Sequence, residues 1–199
     1  MSDSKPKTSA AAYIKGGFVL LKSQVMAAIL SFFLYAVAFM FLKVNSVWMV
    51  LYSIVSTLAC FLFVYADAYR LAENDLKPQS GAKIFPLKGW VFSLVPFAVT
   101  ALITLLWQLI YLSPIQDNIA TSSAASNIFL IMQTIFVGYT FPFRGFMNIA
   151  DNHINWWAYL FIFLWPMMSA VVGYFAGLKK FSIYQKIIYP FLYKKKKDQ

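Results

Sequence analysis

Charge is scarce in this chain: Asp, Glu, Lys and Arg make up 12% of its 199 residues. A soluble domain carries about 25%, so the chain lacks the residues to cover itself with a water-facing surface. Cysteine is almost absent. The lone Cys60 excludes an intrachain disulfide and, lying inside an apolar run, reads as a small packing residue. His153 is the single histidine, too few for a histidine-rich zinc site. There is no Asn-x-Ser/Thr sequon, glycine-rich phosphate loop, His-Glu-x-x-His, Gly-x-Ser-x-Gly or Cys-x-x-Cys. Those absences remove the common signatures of nucleotide, metal and nucleophile chemistry. We expect no enzymatic activity, no cofactor and no metal.

What is present is apolar chain, 61% hydrophobic and 19% aromatic, gathered into the runs 23–42, 47–66, 90–112, 128–143 and 156–178. About 20 helical residues span the ~30 Å core of a bilayer. The expectation is an all-α, polytopic helical membrane bundle of five apolar helices in one domain, 18–180. A polar tail, 1–17, precedes it and an amphipathic, basic segment, 181–199, follows. Ala36-Val37-Ala38 resembles a leader cleavage site, but the run continues apolar to Leu42 and so reads as an uncleaved first helix. The short link 43–46 demands an antiparallel hairpin. No internal repeat supports an inverted-repeat transporter.

The 15 Lys and 2 Arg against 7 acids give a net charge of +10. These residues flank apolar runs, where they set orientation and attract anionic headgroups rather than nucleic acid. If all five runs cross, the basic residues divide nine against eight, with no bias. If 128–143 dips in and returns without crossing, fifteen lie on one side and only Lys43 and Arg144 on the other. That is the asymmetry expected of a cytoplasmic face. The reading is therefore four crossings, both termini cytoplasmic, and a re-entrant or short fifth helix closed by Pro142 and Gly145. Lys-rich flanks without sequons fit a bacterial plasma (cell) membrane.

Beyond residue 180, Phe181, Tyr184, Ile188 and Phe191 share one helical face, and Lys186, Lys194, Lys195, Lys196 and Lys197 supply headgroup-contacting charge. This reads as an interfacial amphipathic helix or a basic topogenic flank. Ser169, Gly173 and Gly177 form a small-residue helix face, suited to tight packing within the chain or to a homodimer or another membrane subunit. Thr100, Thr104 and Gln108 make a polar stripe with Pro96. With Ser53, Ser56, Thr57, Gln133 and Thr134 they should turn inward, as interhelical glue or as a polar path. Asp67, Arg70 and Glu73 read as a solvated helix end, and Arg144, Asp151 and His153 as a polar surface cluster. No charge falls inside a run, which argues against proton relays and ion-coupled carriers. Three roles follow, in order. The first is a non-catalytic membrane subunit or accessory protein packing against another membrane component. The second is a carrier or channel-type component for a small neutral or amphiphilic solute. The third is a headgroup enzyme using Asp151 and His153.

Overall fold

Apolar runs of this length can satisfy their backbone N–H and C=O groups in lipid only within themselves, as helices. The computed structural model describes residues 10–38, 47–80, 82–112, 123–146 and 156–181. They form α1 (Ala10–Ala38), α2 (Val47–Asp75), α3 (Lys88–Tyr111), α4 (Ser123–Thr140) and α5 (Trp156–Leu178), with no strand among the described residues. All five helices are long and apolar enough to cross a membrane, and are compatible with a multi-pass membrane protein.

The run 156–178 coincides with α5, whereas the other helices depart from their runs for identifiable reasons. α1 begins at Ala10, inside the stretch read as a polar tail. Its glycines press this first part of the helix onto α3: a Cβ on Gly16 would lie 2.6 Å from the Phe92 ring. α2 continues past Ala66 to Asp75, so Asp67, Arg70 and Glu73 are helical, and it ends ahead of a 3₁₀ turn, Pro78–Ser80. α4 starts at Ser123 rather than Ile128 and stops at Thr140, where Pro142 sits in a second 3₁₀ turn, Phe141–Phe143.

Contacts fix the directions. The beginnings of α1 and α3 touch through Gly16 and Phe92, so these helices are parallel. Tyr52 donates its hydroxyl to the Ser31 carbonyl at 2.6 Å, while Ser23 donates to Asp67, so α2 runs opposite to α1. α5 runs beside α2 in the same direction, with Trp165 Nε1 donating to the Thr57 carbonyl at 3.0 Å and Gly173 lying against Tyr65. One end of the bundle, here the basal end, therefore gathers Ala10, Asp75, Lys88 and Leu178; the distal end holds Val47, Tyr111 and Trp156.

The basal core is Leu20, Val64, Ala68, Ala72, Phe92, Ala170 and Tyr174. Small residues let backbones meet here. A Cβ on Gly173 would stand 2.5 Å from the Tyr65 carbonyl oxygen, and one on Gly177 2.6 Å from Ala72 Cβ. α5 closes with the Phe181 N–H on the Ala176 carbonyl at 2.9 Å and the Lys180 N–H on the Gly177 carbonyl at 3.1 Å. Lys180 takes the left-handed position of that cap, at φ 52°. The distal core is aromatic instead: Trp107, Phe136, Phe143 and Ile162, flanked by Phe129, Phe146, Phe161 and Trp165.

Candidate functional site

Gly89 lies against the α5 backbone, where a Cβ would meet the Ala170 carbonyl oxygen at 2.6 Å. That close approach carries the preceding residue, Lys88, into the protein. Its side chain is 2% exposed, although the sequence places it in a polar stretch between helices. A cation at a helix N-terminus is unfavourable, and a buried one requires a partner. Asp75, 13 residues earlier at the end of α2, supplies it: Lys88 Nζ lies 2.7 Å from Asp75 Oδ2. Tyr174 of α5 donates its hydroxyl to the same oxygen at 2.7 Å. The Tyr13 and Phe92 rings face the ammonium at 5.5 and 5.4 Å, within cation–π range. Helices α1, α2, α3 and α5 thus share one charged clasp.

A polar seam runs through the middle of the bundle. Thr100 donates to the Pro96 carbonyl at 2.7 Å, which leaves its oxygen to accept the Tyr139 hydroxyl at 2.9 Å. Thr104 is buried, and Gln108, half-buried, donates to the Tyr159 hydroxyl. Thr57 donates to the Pro142 carbonyl at 3.3 Å, and the Gly145 N–H donates to Ser53 Oγ. Two groups are buried with no hydrogen bond of ordinary geometry among the described residues: both amide atoms of Gln24, and the Ser56 hydroxyl, which lies close to Tyr52. Gln24 lies close to the Tyr139 hydroxyl.

The sequence-derived sites divide. Thr100, Thr104 and Gln108 do lie along one side of α3, but Gln133 does not join them. Gln133 and Thr134 are exposed, because Phe129, Met132 and Phe136 take the inward face of α4 against Trp107. Ser169, Gly173 and Gly177 are buried, the two glycines against α2, so this face is covered from within the chain. Arg144 stacks over Tyr35 and Phe141 at 5.2 and 5.3 Å. Asp151, His153, Lys186 and Lys194–Lys197 lie outside the described residues. Sequence reasoning missed the Lys88–Asp75–Tyr174 clasp and the buried Gln24. A lysine directly before a glycine at a helix start was the available signal for the first.

α4 is the exposed element. Only 17% of its most apolar stretch is buried, against 33–50% in the other four helices. Asn127, Ile131, Thr134 and Gly138 recur at helical spacing along its outer face, and among the described residues nothing lies within 4 Å of a Cβ placed on Gly138. Together with Val25, Ile29 and Phe32 of α1, Thr134 and Gly138 line a groove of about 370 Å³. Comparison of the chain with protein-family models, curated proteins and solved structures yields no match.

Proposed function

We propose that this chain is a non-catalytic multi-pass membrane component that works by receiving a transmembrane helix of another membrane component in the groove between α1 and α4. The observation that carries the reading is the exposed side of α4, where Thr134 and Gly138 line the groove and the amides of Asn127 and Gln133 lie exposed elsewhere on the same helix. An amide left unpaired in hydrocarbon costs several kcal/mol, whereas a small-residue position on a helix that also carries amides suits close helix–helix contact and interhelical hydrogen bonds. The clasp and most of the seam are satisfied within the chain, which leaves α4 as the surface with unmet demands.

The same reading takes α4 as re-entrant. Tyr139 meets Thr100 at the midpoint of α3, whereas Gly145 meets Met49 and Ser53 near the distal end of α2. These two contacts support a backbone that turns back toward the distal side at Pro142. Four crossings then leave fifteen of the 17 basic residues on the basal side, which makes that side cytoplasmic. Lys186 and Lys194–Lys197 would there meet anionic headgroups.

A photo-crosslinking residue at Gly138, activated in native membranes, tests the partner. The expected product is an adduct with a second, different membrane protein, lost in Gln133→Leu without a fall in protein yield. Adducts only with lipid would contradict the reading, and adducts with a second copy would replace the foreign partner by a homodimer. The buried amide of Gln24, close to the Tyr139 hydroxyl, favours one competing role, passage of a small amphiphilic solute. That role requires solute movement by the chain reconstituted alone, abolished in Gln24→Leu.

A further inference from the structure

Between α1 and α2, at the basal end, lies a cleft of about 730 Å³ that belongs neither to the clasp nor to the α4 groove. Its lining changes character in a fixed order along α2. Phe63, with Met26 of α1, makes an apolar stretch toward the middle of the bundle. Asp67 follows; it accepts the Ser23 hydroxyl and lies 3.3 Å from the Arg70 guanidinium. Arg70 and, from α1, Lys22 then place two cations in the lining, and Glu73 adds a carboxylate one turn further toward the helix end. At 1.5 Å per residue, the steps from Asp67 to Arg70 and from Arg70 to Glu73 are each about 4.5 Å. The Arg70 side chain is 75% exposed, so its contact with Asp67 leaves most of its donors open to a ligand.

We propose that this cleft holds one aminophospholipid, with an acyl chain along Met26 and Phe63, the phosphate on Lys22 and Arg70, and the ammonium on Glu73. Apart from Asp67, which is held by Ser23 and Arg70 at the boundary of the apolar part, the lining runs apolar, cationic, acidic, the order of hydrocarbon, phosphate and amine in such a lipid. Charge complementarity selects it: the cleft pairs two cations with two carboxylates, which matches a zwitterionic headgroup. An anionic lipid would satisfy the cations but set its headgroup against Glu73 and Asp67. The assignment goes beyond the α4 reading and depends only on the chain lying in a bilayer.

Native mass spectrometry tests it, on the full chain extracted from vesicles of equal phosphatidylethanolamine and phosphatidylglycerol. The expected result is one retained phosphatidylethanolamine, preferred over phosphatidylglycerol by roughly tenfold. In Lys22→Gln/Arg70→Gln retention should fall roughly tenfold or more, since each basic residue near a headgroup contributes about 1 kcal/mol. Glu73→Gln should keep a lipid but lose the preference. Equal retention of both lipids by the unaltered chain would overturn the proposal, as would variants that hold phosphatidylethanolamine as well as it does. Displacement of the lipid by soluble glycerophosphoethanolamine at equal concentration would overturn the acyl-chain half. The headgroup preference of the unaltered chain decides the matter even if a variant fails to fold.

Discussion

At the basal end, α2, α3 and α5 meet through glycines whose missing side chains bring backbones into contact, and a buried Lys88–Asp75 pair ties them together with α1. At the distal end, α4 leans on Trp107 through Phe129 and Phe136, and its other face carries Gln133, Thr134 and Gly138 into the open. Where α2, α3 and α5 meet, the backbones leave no room for an added side chain; the other end is built of broad aromatic contacts. In lipid, where apolar burial between helices gives little drive, close packing and satisfied polar groups decide which contacts are permanent. By that criterion the contacts among α2, α3 and α5 at the basal end are the permanent ones.

The contrast can be broken most severely at the clasp. Lys88→Met leaves Asp75 buried without its cation and should cost about 3–5 kcal/mol, read as a lowered midpoint in detergent-denaturation curves. Lys88→Met/Asp75→Leu should recover most of that loss. If the double variant is as unstable as the single, the cost lies in the shape of Lys88 and not in its charge.

A matched glycine pair sharpens the comparison. Gly173→Val drives a side chain into the Tyr65 backbone and should destabilise by about 1–3 kcal/mol, or prevent folded protein from accumulating. Gly138→Val meets nothing and should change the melting midpoint by less than about 0.5 kcal/mol equivalent. Equal effects of the two would remove the distinction between the ends. Between the two glycine variants, Tyr139→Phe deletes the hydroxyl joining α4 to Thr100 and should cost about 0.6–2 kcal/mol, with faster hydrogen exchange of the α4 amides as a local readout.

How much of this was legible in the sequence depends on what hydropathy can see. It averages over the whole circumference of a helix, so it located the five apolar stretches and gave 156–178, the whole of α5, correctly. It does not say which way a single polar residue points, and Gln133 was accordingly placed inward. The inward positions of α4 went to its large aromatics, which bury more area than an amide. Nor does hydropathy see a contact made across a loop. Lys88 reads as a loop cation until Pro78 and Pro86 fold the connection back and set Asp75 beside it. The start of α1 was missed for a related reason: Lys15, Gly16 and Gly17 lower local hydropathy, yet the glycines are what seat that turn on α3. Lysine placement adds what hydropathy lacks for α4: five crossings divide the basic residues nine against eight, whereas its return would divide them fifteen against two.

The return of α4 is the claim on which the proposed topology depends. Single cysteines at Asn118, Asn152 and Asp198, introduced into a Cys60→Ser background, can be labelled in intact cells and in inverted vesicles with a membrane-impermeant thiol reagent. The account predicts that Asn118 and Asn152 react from the same face and Asp198 from the opposite one. Reaction of Asn118 and Asn152 from opposite faces would make α4 a fifth crossing and contradict it.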